Sequence, residues 1–207
     1  MHHEKISIMI VVGVLLIGGG LGVLAYWNLW PFQGDKIAGV PNGALIKKDK
    51  ESIDTLDLLL AASGKVAFNT EGERVQVYLD VYEKAERVSH QKVVEIAREE
   101  KSPINGELVW GAVGFDVMKP EELRVKILAN GAESQKKVPL SAELFYKFEH
   151  AGSATEPFEG GKIEPGKRYV LQYWGFSEKG LRIVDDLFAE EALSEMDQSI
   201  ILYVMFK

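Results

Sequence analysis

The chain has 207 residues, no cysteine, 27% charged residues and a formal net charge of −7 at pH 7. Without cysteine it cannot be a disulfide scaffold, a thiol enzyme, or a protein that holds zinc or iron–sulfur clusters through thiolates. The acidic balance also excludes a basic nucleic-acid binder, because neutralising phosphates requires an excess of Lys and Arg. The charges are unevenly spread, since residues 6–30 carry none and residues 33–207 carry the whole excess.

Residues 6–30 are predicted to form a transmembrane helix. A helix of 25 residues at 1.5 Å per residue spans roughly 37 Å, which exceeds the ~30 Å hydrocarbon core of a bilayer. Four aromatic residues stand where an interfacial aromatic belt is expected, namely Tyr26, Trp27, Trp30 and Phe32. The alternative is a cleaved signal peptide, whose apolar run is usually only about 7–15 residues long.

Residues 1–5 form a short amino-terminal tail, so the helix is interpreted as a signal anchor with the rest of the chain outside the cell membrane. Positive charges near the two helix ends do not differ enough to exclude the reverse orientation. Gly18 and Gly22 have the small-xxx-small spacing that lets two helices approach closely in lipid. This spacing indicates self-association, although glycine is also common in membrane helices for other reasons.

Residues 31–50 are interpreted as a linker, because they are rich in Gly and Lys and show no hydrophobic period. The soluble domain is predicted to cover residues 51–207. Apolar residues at helical spacing predict two short helices within it, near residues 52–63 and 181–196, the second with an acidic outer face.

Strand patterns dominate the rest of the domain. Apolar and polar residues alternate along residues 75–82 and 123–129, and Asn130-Gly131 predicts a tight hairpin followed by a polar edge strand. Residues 101–106 are expected to break the chain between strands, and residues 164–167 to form a β-turn. The apolar stretches 168–176 and 199–207 predict central strands covered on both faces.

Seven or more strands with few helices predict a mainly β protein, specifically an immunoglobulin-like antiparallel β-sandwich behind the transmembrane helix. A mixed α+β architecture is the alternative.

Few residues point to chemistry. Neither His90 nor His150 has a second histidine at metal-ligand spacing, so neither a metal site nor a cofactor site is predicted. A Ser–His–acid centre could arise only through the fold, and the catalytic residues are therefore unknown. Tyr78 and Tyr82 fall on the polar side of their strand, which makes them candidate surface residues for binding a glycan or a protein.

These patterns favour a single-pass membrane protein that displays a non-catalytic binding or assembly module in the cell envelope. Its expected partners are the membrane, a protein or envelope glycan, and a second copy through the helix; nucleic acid is not expected. One alternative is an envelope hydrolase or glycan-processing enzyme whose carboxylates the fold brings together. The other is a membrane-tethered adaptor that faces the cytosol.

Overall fold

A computed structural model of the chain describes residues 2–48, 59–140, 148–158, 160–180 and 186–207, with side chains from residue 12 onward. The described elements are, in chain order, α1 (His2–Tyr26), β1 (Ala44–Lys47), β2 (Leu60–Glu83), β3 (Glu86–Val113), β4 (Glu122–Ala129), β5 (Ala132–Pro139), β6 (His150–Thr155), β7 (Gly161–Lys162), β8 (Arg168–Ser177), α2 (Glu190–Glu195) and β9 (Gln198–Phe206).

All of these strands belong to one antiparallel sheet, in the order β5-β4-β3-β2-β9-β8-β6, with β1 beside β2 and β7 beside β1. The long β2–β3 hairpin is its centre. The first half of β2 lies against the part of β3 that pairs with β4, whereas residues 75–83 of β2 pair with β9. The hairpin therefore carries one wing of strands at each end, β4–β5 on one side and β9–β8–β6 on the other.

The two wings share one hydrophobic core, and this shared core requires the sheet to curl. Leu123 of β4, Trp174 of β8 and Leu202 of β9 are all buried in the same cluster. The indole Nε1 of Trp174 also donates a hydrogen bond of 2.8 Å to the carbonyl of Val117, in the loop between β3 and β4. A curled sheet of this length can bury large aromatic side chains that an open face would leave in water.

The prediction of a mainly β chain is confirmed. Asn130 and Gly131, with φ of 48° and 76°, form the turn between β4 and β5, and β5 is an edge strand as predicted. Residues 164–167 form the predicted turn, closed by a 3.1 Å hydrogen bond from Lys167 N to the Glu164 carbonyl. Strands β8 and β9 are central and almost wholly buried, also as predicted.

Of the two short-helix predictions, the first is wrong in the part that the structure describes and the second is confirmed in part. Leu60 begins strand β2, whose first residues pair with the end of β3, and residues 52–58 lie outside the described residues. Of the described residues 186–196, Glu190–Glu195 are helical and form α2, and residues 181–185 lie outside the description. The predicted break at residues 101–106 is wrong for residues 102–106, which pair with residues 68–72 of β2, whereas residues 98–101 have no partner on β2 and form an irregularity within β3.

Helix α1 has no charged side chain after Lys5, and its described part lies outside the core. Its described aliphatic side chains are largely exposed, including Leu16 at 72% and Ile17 at 67%. In the described part of the chain, no helix combines the length and the apolar character that crossing a bilayer requires.

Candidate functional site

A buried carboxylate lies on the face of the sheet opposite the main core. Asp80, near the end of β2, has no exposed surface. Its Oδ1 lies 2.6 Å from Nδ1 of His90, which is directly opposite on β3. Its Oδ2 accepts hydrogen bonds from the hydroxyls of Tyr82 (3.3 Å) and Tyr203 (3.2 Å) and lies 3.6 Å from the Arg87 guanidinium. The fold thus satisfies this charge with four partners, as a buried carboxylate requires.

Stacked rings surround this Asp80 cluster. The Tyr78 ring lies between His90, with a centroid separation of 4.7 Å, and Tyr203, at 5.5 Å. Phe188 meets Tyr203 edge-on at 5.2 Å, and the Arg168 guanidinium lies 3.7 Å above the Phe188 ring.

The expectation that Tyr78 and Tyr82 are exposed is wrong, since their exposed fractions are 8% and 6%. The alternation along β2 is correct, but a second hydrophobic cluster covers its polar face. Leu187, Phe188 and Leu193, from the segment around α2, pack in that cluster with both tyrosines. Neither ring is therefore open to a ligand of the kind the sequence indicated.

The electrostatics of the cluster favour neutral phenols. Burial raises the pKa of Tyr203 well above its usual value of 10.0, and the neighbouring Asp80 charge raises it further. The same two causes raise the pKa of Tyr82. Both hydroxyls thus stay protonated and act as donors to Asp80.

The cluster could orient a general base but lacks a nucleophile. Asp80 holds Nδ1 of the His90 imidazole, which leaves the half-exposed outer edge of the ring free for chemistry. Within the described residues, no serine hydroxyl is hydrogen-bonded to His90, and Ser89 is its neighbour on a strand and so faces the other way. His150 lies apart, at the exposed start of β6.

The described acidic residues do not assemble a metal site. No group of three or more metal-ligating side chains occurs among the residues that the structure describes. Two of the acids around α2 have structural roles instead: Asp186 accepts from the amide of Phe188 (2.9 Å) and Asp197 from the amide of Glu178 (2.8 Å).

A groove with basic walls is lined by residues of strands β2, β3, β4 and β5, and sequence reasoning missed it. Its volume is about 1020 Å³. Val109 and Gly111 of β3 line it, as does Phe115, which has 90% of its surface exposed. Five cationic side chains line this basic groove: Lys65, Arg124, Lys126, Lys136 and Lys137. The signal was present in the sequence as Arg and Lys alternating along residues 124–126 and as the Lys pair in the edge strand.

Three of these cationic side chains already form ion pairs with glutamates. Lys65 pairs with Glu107 at 2.9 Å, Lys126 pairs with Glu133 at 2.8 Å, and Arg124 pairs with Glu122. The exposed Lys136 and Lys137 make no ion pair with any described residue. Their charge remains available, on a chain that is acidic overall.

Residues 27–43 are not a free linker, contrary to the prediction for residues 31–50. This connector ends at β1, and its Val40 and the adjacent Pro41 are buried. Asn69 of β2 binds the backbone of this connector. The Asn69 side chain donates to the carbonyls of Ile37 (2.9 Å) and Val40 (2.7 Å) and accepts from the amide of Ile37 (2.8 Å). Glycine content indicated flexibility, but glycine also permits such close backbone contacts.

The predicted interfacial aromatics are all exposed, with Trp30 at 83%. Tyr26 and Trp27 meet edge to face at a centroid distance of 5.3 Å. Gly18 and Gly22 lie on an open helix surface, where an added Cβ would meet nothing within 4 Å. Exposure at these positions is compatible with contact to lipid or to a second helix.

Comparison with protein-family models, with curated proteins and with solved structures gives no match for this chain.

Proposed function

We propose that the chain is a membrane-anchored, non-catalytic binding module. The observation that carries this proposal is α1, which has no charged side chain after Lys5 and whose described side chains are largely exposed. A helix of this kind is stable in lipid or inside a protein, but not in water. The charge-free stretch of residues 6–30 and the aromatic residues at its end support lipid as the environment.

The curled sheet is proposed to act as an immunoglobulin-like sandwich does, as a rigid scaffold that presents one face. That face is the basic groove, and its proposed occupant is an acidic segment of a partner protein that also carries apolar side chains. Lys137, which lies opposite Arg124 on β4, supplies unpaired positive charge on this face, while Val109 and Phe115 supply exposed apolar surface. Complementary charge of this kind mainly gives specificity and a faster association rate.

The anchor is tested by fractionation of cells that make the full chain. We expect the protein to stay with the membrane pellet after alkaline carbonate and to dissolve only in detergent. Protease added to intact cells then decides the orientation, since an extracytoplasmic sheet is digested and a cytosolic adaptor is protected. Release by carbonate alone contradicts the anchor.

The groove is tested in detergent with two labelled peptides that differ only in charge, one of Glu and Leu and one of Lys and Leu. We expect the acidic peptide to bind and the double variant Lys136→Glu with Lys137→Glu to lose that binding. Lys101→Glu, at an exposed position of β3, is the matched charge control. Equal binding of both peptides, or preferential binding of an uncharged glycan, contradicts an acidic peptide as the occupant.

Hydrolysis is the second candidate, and the His90–Asp80 pair alone favours it. If His90 is a general base, His90→Gln abolishes an esterase or glycosidase activity of the detergent-solubilised protein while its folding persists. An activity that the variant keeps excludes this pair as its source.

A further inference from the structure

The connector joins α1 to the sheet without a free joint. At the end of the helix, the Asn28 side chain is buried and donates to the Val40 carbonyl at 2.6 Å. The amide of Gly39 donates to the carbonyl of Trp27 at 2.8 Å, which folds the connector back onto the helix end. Asn28 also has the left-handed backbone, with φ of 50°, that commonly follows a helix and that Asn tolerates.

The same short segment is bonded to the sheet. Val40 is the shared point, because its carbonyl accepts from Asn28 on the helix side and from Asn69 on the sheet side. Gly43 continues the attachment by donating to the carbonyl of Asn69 (2.6 Å) and accepting from the amide of Ile163 (2.6 Å). A chain held by hydrogen bonds to buried groups at this spacing has few backbone angles left to vary.

We propose that this connector mounts the sheet on α1 as one rigid body, so that a fixed end of the sheet faces the lipid headgroups. The presence of a bilayer rests on the proposed function, whereas the rigidity of the mount does not depend on it. The facing end is defined by the connector residue Asp35, by Asn105 and by the Asn130-Gly131 turn. Asn105 links the connector to the turn. Its side chain donates to the Asp35 carbonyl (3.5 Å), and its backbone N–H donates to Oδ1 of Asn130 (2.7 Å).

The opposite end of the sheet is then held away from the bilayer. Strand β2 continues from Asn69 to Glu83 before it turns into β3 at Lys84, and residues in a strand advance about 3.3 Å each. The β2–β3 turn therefore lies tens of ångströms along the strand from the mount. A flexible linker would instead let both ends of the sheet sample the membrane surface.

Rigidity is tested on the full chain in detergent, and the absence of cysteine makes the labelling clean. Spin labels at Leu21→Cys in α1 and Glu86→Cys at the far end of the hairpin give a distribution of distances. We expect a single narrow distribution, which broadens in Asn69→Asp because a carboxylate cannot donate to Ile37 and Val40. Gln33→Ala removes only a bond within the connector and should leave the distribution narrow.

Orientation is tested in lipid nanodiscs that contain headgroup-labelled quencher lipids. A fluorophore at Asp35→Cys should be quenched, one at Glu86→Cys should not, and this difference should shrink in Asn69→Asp. A broad distribution in the parent chain, or equal quenching at both positions, overturns the rigid mount. Failure of the anchor looks different, because a fluorophore at Leu21→Cys then escapes quenchers attached to the lipid tails.

Discussion

Asp80 is the residue on which the second face of the sheet depends. A carboxylate without exposed surface is costly unless its charge is neutralised and its oxygens are hydrogen-bonded. Here the Arg87 guanidinium provides the opposite charge, whereas Nδ1 of His90 and the two phenols provide the hydrogen bonds, all from strands adjacent to β2 or from β2 itself. The partners reach the carboxylate from the sheet alone, so the cluster fixes the pairing of β3, β2 and β9.

We predict that Asp80→Ala lowers the free energy of unfolding by about 1–3 kcal/mol, because the buried donors of Tyr82 and Tyr203 lose their acceptor. The Arg87 side chain is about half exposed, so water screens the loss of its ion pair. Chemical denaturation of the detergent-solubilised chain measures the change. Glu99→Gln, at an exposed site on β3, is the control and should stay within about 0.5 kcal/mol. An Asp80→Ala variant as stable as the control contradicts the role of the cluster.

The same cluster predicts a loss of stability in alkali. Near neutral pH both the folded and the unfolded chain keep their phenolic protons. Above about pH 10, unfolded Tyr203 and Tyr82 release protons that the folded chain retains, because the folded pKa of each is raised. The free energy of unfolding therefore falls as pH rises through that range.

Tyr203→Phe removes one of these titrations and should make the alkaline decline shallower. Denaturation series at several pH values between neutrality and strong alkali measure the slope. Tyr26→Phe, in the exposed aromatic pair at the end of α1, is the matched control and should leave the slope unchanged. A slope in Tyr203→Phe equal to that of the parent chain refutes the assignment.

At the residue scale, the sequence predicts the face of a strand on which each side chain lies better than it predicts whether that face is buried. Tyr78, Asp80 and Tyr82 do share one face, as their alternation with valine and leucine indicates. This face is covered by Leu187, Phe188 and Leu193, which lie more than 100 residues further along the chain. No local pattern around Tyr78 carries that information, so the sequence alone wrongly predicts that the two tyrosines are exposed.

At the scale of elements, β3 shows why a loop was predicted where residues 102–106 continue a paired strand. Residues 101–106 combine Lys, Ser, Pro, Asn and Gly, a composition typical of loops. In the structure Gly106 is a close-approach position instead: an added Cβ would lie 2.2 Å from the backbone carbonyl oxygen of Leu128 on β4. The turn composition marks the place where two strands pack unusually closely, which a one-dimensional pattern cannot distinguish from a loop.

We predict that Gly106→Ala destabilises the sheet by about 1–3 kcal/mol, because the backbone of β4 must move to admit the methyl group. Gly111→Ala is the matched control on the same strand. Its methyl group meets only the side-chain carbons of Leu60, at 3.1 Å and beyond, which can rotate away. Thermal unfolding of the two variants should rank Gly106→Ala well below Gly111→Ala, and equal midpoints contradict the close approach.

At the scale of the whole molecule, β9 holds the two wings together. It pairs with β2 along residues 75–83 and with β8 along its other side, and almost every one of its residues is buried. The carbonyl of Lys207 also accepts from the amides of Glu73 (2.6 Å) and Arg74 (3.0 Å), where β2 is bulged. The apolar composition of residues 199–207 was enough to predict a central strand, but not which strands would flank it.

Deleting residues 200–207 is expected to abolish cooperative unfolding, because β8 and β6 then lose their only link to β2 through the described sheet. Calorimetry and near-ultraviolet circular dichroism of the truncated chain measure this loss. Lys207→Ala, which keeps the backbone carbonyl, is the control and should retain the transition. A sharp transition in the truncated chain contradicts the central place of β9.

Helix α1 allows a separate test of association between whole molecules. Within one chain, an added side chain at Gly18 or Gly22 meets nothing within 4 Å, so substitution there has room and should leave the sheet unaffected. If two helices pack through these glycines, Gly18→Ile with Gly22→Ile separates their backbones and shifts a dimer to monomer in detergent. Gly13→Ile, equally open but outside the paired spacing, is the control. Sedimentation of the three proteins decides the matter, since an unchanged dimer, or a parent chain that is already monomeric, excludes self-association through this surface.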